Sequence, residues 1–130
     1  DSRTTVMIKD IPNKLSRNQL IDAIHEVVPG GITFLYLRHD WEHCCNVGYG
    51  FVNFRTLHHL EEFARQRLGQ KWALYMSDKE LQLSYATIQG HEALVAHFRN
   101  STVMHANPEW RPVVFDTAGE IEHFPPVSIY

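Results

Sequence analysis

The 130-residue sequence predicts an α+β fold in the order βαββαβ, a four-stranded antiparallel sheet with two helices on one face. Runs rich in β-branched and aromatic residues alternate between apolar and polar positions, as half-buried strands do. Between them lie stretches with apolar residues at helical spacing, each opened by a capping residue. The two kinds of segment come in an order that leaves one face of the sheet without helices.

The first strand is Thr4-Thr5-Val6-Met7-Ile8-Lys9, with Val6 and Ile8 on one face and Thr5, Met7 and Lys9 on the other. Pro12 ends it, because proline cannot donate to a ladder. Ser16 with Gln19 three places on is a capping-box pattern, and Leu20, Ile21, Ile24, Val27 and Val28 recur at helical spacing until Pro29-Gly30-Gly31. Ile32 to Arg38 is the second strand, and residues 39–46 have no period and read as a loop. Val47 to Phe54 is the third strand. Thr56 caps a second helix whose buried stripe is Leu57, Leu60, Phe63, Ala64 and Leu68, with Gly69 beyond its end. Leu81 to Ala86 is the fourth strand, with Leu81, Leu83 and Tyr85 expected in the core and Gln82, Ser84 and Ala86 on the open face.

Beyond this order, Gly90 to Asn100 carries Leu94, Val95 and Phe98, a short third helix that needs a surface to pack on. Arg111 to Phe115 is at most an extended segment, and no pattern is visible after Gly119. The division is therefore a core over residues 1–88, a C-terminal helical extension over 89–119 packed on it, and a tail over 120–130.

The length suits one domain with a real core, and 44% hydrophobic with 21% charged residues argues against disorder. No run approaches the roughly 20 apolar residues that span a bilayer, so no membrane association is expected. The polar start, Asp1 to Thr5, reads as no signal peptide. Cys44 and Cys45 are adjacent, which disfavours a disulfide and suits a reducing intracellular setting. The net charge of −3 implies weak long-range attraction for phosphates.

Chemistry concentrates in the third strand, Val47-Gly48-Tyr49-Gly50-Phe51-Val52-Asn53-Phe54. It matches the RNA-recognition signature (basic, Gly, aromatic, Gly or Ala, Phe, Val, any, aromatic) at every position but the first, where Val47 stands for Lys or Arg. Period two projects Tyr49 and Phe51 from the open face and Val52 and Phe54 into the core. An uncovered aromatic pair makes a platform for unstacked bases. Alternatively, the third helix covers it. Gly48 and Gly50 are expected on the core side, where helices come close. On the first strand Met7 holds a position usually aromatic, and its polarizable thioether can lie against a base. Lys9, Arg38 and Lys14 are candidates for phosphates or base edges, and Gln82 and Ser84 for hydrogen bonds to a base edge. Lys9, Gln82 and Ser84 read as readily as solvated surface. Trp41 either anchors its loop or stacks on RNA.

Ile11-Pro12-Asn13-Lys14, Cys45-Asn46-Val47-Gly48-Tyr49, and Tyr85-Ala86-Thr87-Ile88-Gln89-Gly90 running into Leu94-Val95-Ala96-His97-Phe98-Arg99-Asn100-Ser101 together closely resemble the C-terminal RNA-recognition motif of the Mei-two-like proteins. These are the meiosis regulators of fission yeast and their plant relatives. The likeness covers residues 4 to about 115, with Lys71-Trp72, Arg111-Pro112 and Phe115. It implies a ferredoxin-like RNA-recognition fold and a single-stranded-RNA-binding regulator of meiosis or development, acting between nucleus and cytoplasm. It also implies that Met7 and Val47 are normal for this branch.

Other chemistry finds little support. His39, His43, Cys44 and Cys45 are zinc ligands by type but lack C-x-x-C spacing, so no metal and no cofactor is expected. His58 and His59 point to different faces of the second helix. No nucleophile elbow, phosphate-binding glycine loop or H-E-x-x-H pattern occurs, and an enzyme is not expected. The competing reading is a protein-interaction or self-association module whose sheet face the extension partly occupies.

Overall fold

The computed structural model describes residues 2–126. Strand β1 (Thr5–Lys9), helix α1 (Arg17–Val27), strands β2 (Ile32–Asp40) and β3 (Cys45–Phe54), helix α2 (Leu57–Arg67) and strand β4 (Gln82–Tyr85) form the predicted order. Helix α3 (His91–Phe98), short 3₁₀ turns over Thr102–His105 and Pro108–Trp110, and strands β5 (Val113–Phe115) and β6 (Ile121–Glu122) follow. Among the described residues the sheet has six strands in the order β4-β1-β3-β2-β5-β6, with antiparallel pairing between neighbours. The four expected strands are thus extended by two short ones from the C-terminal segment, too brief to show a period.

Local chemistry explains the helices. The Ser16 side chain accepts the Gln19 N–H and Gln19 returns a bond to the Ser16 N–H, a complete capping box. Thr56 caps α2 through the His59 N–H. Leu20, Ile21 and Ile24 of α1 and Leu60 and Phe63 of α2 bury against Val6, Ile8, Leu35, Leu37, Val52 and Phe54 of the sheet. Leu68, expected in the buried stripe, is 47% exposed because α2 ends at Arg67 and the chain turns away.

Three further expectations are corrected. The 39–46 loop contracts to a turn over 41–44: β2 continues to Asp40, β3 begins at Cys45, and a register shift between Leu37 and His39 admits the extra residue. Tyr85, placed in the core by alternation, is 46% exposed at the open edge of the sheet, with the Arg3 guanidinium 3.9 Å above its ring. Gly50 is small because β2, not a helix, comes close: a Cβ there would lie 2.5 Å from the Tyr36 carbonyl oxygen.

The C-terminal segment is built into the domain. Val113 and Phe115 enter the helix-side core, while Val114 faces the other way. The Arg55 guanidinium donates to the Gly30 and Asp116 carbonyls at 3.0 and 2.8 Å, tying β5 to the end of α1. Arg17 donates to the Pro108 carbonyl at 2.8 Å. Phe124 lies beyond Gly119, where the sequence shows no pattern, yet its ring meets Phe34 edge-on at 6.4 Å. The last four tail residues, 127–130, lie outside the described residues.

Candidate nucleic-acid interface

Register places the site residues in rows across the sheet face opposite α1 and α2. Met7 stands opposite Phe51 on one side and Ser84 on the other, and Phe51 stands opposite Tyr36. The next row is Gln82, Lys9 and Tyr49. The third, in the opposite direction, is Thr5, Asn53, Phe34 and Val114. Six of the predicted site residues therefore share two adjacent rows. Arg38 joins them from β2, its Nη1 donating to the Tyr49 hydroxyl at 2.9 Å. Lys14 is exposed in the β1–α1 connection, outside both rows.

Helix α3 divides the face. Its apolar side buries Leu94 and Val95 with Phe34, Tyr36, Val103 and Val114, a second core opposite the first. Phe98 packs on Phe34 and Tyr36 with ring centroids 5.6 and 5.0 Å apart. Burial pushes the Tyr36 phenol above its ordinary range, and the nearby Arg38 charge partly offsets this. The start of the helix is fixed by polar contacts. Asn53 accepts from the Thr4 and Thr5 hydroxyls at 2.9 and 2.8 Å and donates to Thr33 at 2.8 Å. The Gly90 N–H donates to the Thr5 hydroxyl at 2.8 Å, and the Gln89 amide bonds both the N–H and the carbonyl of Thr5.

Tyr49 and Phe51 remain partly exposed beside this cover, their rings edge-to-face at 6.1 Å. Phe51 marks the boundary: it also packs against the second core. Met7 and Phe51, with Ile88, Leu94 and Phe98, line a small pocket of about 210 Å³ beneath one side of α3. Lys9, Gln82 and Ser84 are half-buried and open to the same face. Val47 lies on the Tyr49 side of β3, so the cation that the signature sets there is missing from that strand. Arg38 supplies one from the neighbouring strand.

The loop end of the platform is braced by Asn46. Its Nδ2 donates to the Pro12 and Leu15 carbonyls, both at 2.8 Å, and its Oδ1 accepts the Gly48 N–H at 2.8 Å. This ties the β1–α1 connection to β3 and sets Gly48 at φ +97°, a conformation that favours glycine. Among the described residues no His, Cys, Asp or Glu cluster suits a metal ion. Among those residues no helix is long and apolar enough to cross a membrane.

Sequence reasoning named Leu94, Val95 and Phe98 as a helix in need of a surface, but not Phe34, Tyr36 and Val114 as the residues it covers, nor the polar network beneath the start of α3. The signal was the unbroken apolar run Phe34-Leu35-Tyr36-Leu37, since a strand with one wet face would alternate. It also missed Arg38 as a partner of Tyr49, because cross-strand pairing around an irregular register is not visible in one strand.

The comparisons agree with this architecture. The family description RNA recognition motif 2 matches residues 3–99. Meiosis protein mei2 of Schizosaccharomyces pombe is 46% identical over 119 residues, covering 92% of this chain and 16% of that protein. Protein MEI2-like 4 of Oryza sativa subsp. japonica is 44% identical over 129 residues, covering 96% of this chain and 13% of that protein. The chain thus spans only a small fraction of the length of these curated relatives. Among solved structures, the Rna15 RRM with bound RNA (GU) superposes with a TM-score of 0.57 at 20% identity, over 72% of this chain and 93% of that one. The Sex-lethal protein/RNA complex gives 0.55 at 21% identity, over 69% and 50%. With the family match running from Arg3 to Arg99 and the mei2-type relatives extending through the C-terminal segment, the chain belongs to the RNA recognition motif 2 family, as a Mei2-type RNA-recognition motif.

Proposed function

We propose that this domain binds short single-stranded RNA on the uncovered half of the sheet, as the RNA-binding module of a larger regulator of meiosis or development. The observation that carries the reading is that α3 stops short of Tyr49. The extension buries Phe34 and Tyr36 of β2 and leaves Tyr49 and Phe51 of β3 partly in water. Tyr49 and Phe51 stack bases, Met7 flanks them, Lys9 and Arg38 meet phosphates or base edges, and Gln82 and Ser84 offer hydrogen bonds. Lys14 contributes at most a peripheral charge. The names of the relatives support the biological setting, and RNA bound on the neighbouring fold in Rna15 supports the ligand class. Action between nucleus and cytoplasm belongs to the same proposal.

With few cations on this face, affinity is expected to be modest and only weakly salt-dependent. The test is Phe51→Ala, read by fluorescence anisotropy with labelled single-stranded RNA and by a melt. Binding should weaken by about 1–3 kcal/mol while the cooperative fold is retained. Unchanged binding would remove the sheet platform. The protein-interaction reading gains from the same cover, since an occupied face is partly a protein interface already. Light scattering over a concentration series separates the two: self-association that competes with RNA would favour it.

A further inference from the structure

We propose that the cleft between the β2–β3 turn and the C-terminal extension is a second nucleotide subsite, which takes one unstacked base against Trp41. It rests on the RNA-binding reading above and extends it beyond the strand signature. The cleft is a groove open to solvent and measures about 580 Å³, in the size range of ligand sites. Tyr36 and Phe51 line it from the sheet, Trp41 and Val47 from the hairpin, and Phe98 and Thr102 from the extension. The extension therefore supplies a wall that a bare four-stranded sheet would lack.

Two features mark this cleft as more than a packing gap. Trp41 is 58% exposed, a large indole left in water at the rim. Its turn is nevertheless held. The Asp40 carboxylate accepts the Glu42 N–H at 3.0 Å and pairs with the His43 ring at 2.7 Å, and the Cys44 N–H returns to the Asp40 carbonyl at 2.9 Å. Hydrogen bonding from His43 and the backbone holds the Asp40 carboxyl below its usual range. An exposed ring on a braced turn is a stacking surface with little ordering left to do on binding.

The occupant follows from continuity and charge. Phe51 belongs both to the platform and to the cleft, and Arg38, which bonds Tyr49, also lines the cleft, where the Asp40 carboxylate is paired with His43. A strand lying over Tyr49 and Phe51 reaches the cleft next, with a cation beside its backbone. Val47, 38% exposed where the signature places a long basic side chain, leaves the entrance open and apolar. The Thr102 hydroxyl makes no hydrogen bond among the described residues and is available to a base edge.

The test uses the full 130-residue chain and labelled single-stranded RNA of randomised sequence, roughly ten nucleotides long, within the usual site size of such modules. Trp41→Ala should weaken binding about 5- to 30-fold with an unchanged melting curve. Thr102→Trp, which fills the cleft from the opposite wall and keeps Trp41, should weaken it comparably. RNA should quench tryptophan emission in the parent and in Trp72→Phe, and the quenching should disappear in Trp41→Phe. Full affinity in both cleft variants, with Phe51→Ala still impaired, would overturn the subsite and leave the platform standing. Full affinity in Phe51→Ala as well would overturn the platform reading itself. Quenching that survives Trp41→Phe would place the base elsewhere and also overturn the subsite.

Discussion

The two halves of the sheet face opposite α1 and α2 are made of similar residues and do opposite things. Under α3, Phe34 and Tyr36 are buried by Leu94, Val95 and Phe98, and the polar atoms of Thr5 and Asn53 are used up in anchoring the helix. Toward the β2–β3 hairpin, Tyr49 and Phe51 keep part of their surface, with Arg38 and Lys9 beside them. An aromatic residue on a sheet face is therefore a stabilising contact or a ligand platform according to what the rest of the chain lays over it. Here one helix of eight residues decides the matter, and its last aromatic ring, Phe98, stands at the border.

The largest effect is expected from loosening the covered half. Leu94 is fully buried between α3 and the sheet, so Leu94→Ala should lower unfolding free energy by about 2–5 kcal/mol in a urea titration. Its effect on RNA affinity should be much smaller as long as the protein is folded. If instead RNA binding fell as far as stability, the two halves would not be separable.

The open half is sharpened by a charge change. Arg38→Gln removes the cation beside Tyr49 and should weaken RNA binding by about 1 kcal/mol. The slope of log affinity against log salt should also flatten by close to one, as for the loss of one phosphate contact. An unchanged slope would assign Arg38 to orienting the tyrosine ring alone.

The smallest expected effect concerns the margin of the covered half. His39 is buried on β2, stacked on Trp110 at 5.0 Å with its Nδ1 2.9 Å from the Leu37 carbonyl oxygen. Burial pushes its imidazole below the ordinary value, with the hydrogen bond to Leu37 opposing and the Arg17 charge adding to the shift. Below about pH 6.5 the unfolded chain takes up the proton more readily than the folded one. The contribution is thus complete above that pH and lost as pH falls through the lower folded value. His39→Phe keeps a ring against Trp110 and should narrow the difference in melting temperature between about pH 7.5 and 5.5, by less than about 1 kcal/mol in stability terms. An unaltered pH response would show that His39 does not titrate with unfolding.

Much of the open half was legible because it depends on period and local chemistry. Alternation in β1 and β3 fixes which side chains share a face, and the Ser16–Gln19 box and the Thr56 cap are written in consecutive residues. The covered half depends on pairing at long range. Nothing local says that Val113–Phe115 adds to β2, that Gln89 mimics a strand neighbour for Thr5, or that Phe124 reaches Phe34. Alternation also misled at Tyr85, since a strand at the sheet's edge has no layer to cover its last residue and Arg3 lies there instead. The loop over 39–46 was overestimated because an irregular register hides the ends of both strands.

The division of the face is tested most directly by an amide and side-chain NMR titration of the labelled domain with single-stranded RNA. The predicted result is shift changes at Met7, Lys9, Arg38, Trp41, Tyr49 and Phe51. Thr5, Phe34, Asn53 and Val114, beneath α3, should stay in place. Changes centred on Phe34 and Leu94, with loss of the contacts between α3 and β2, would show that RNA displaces the helix and would contradict the account.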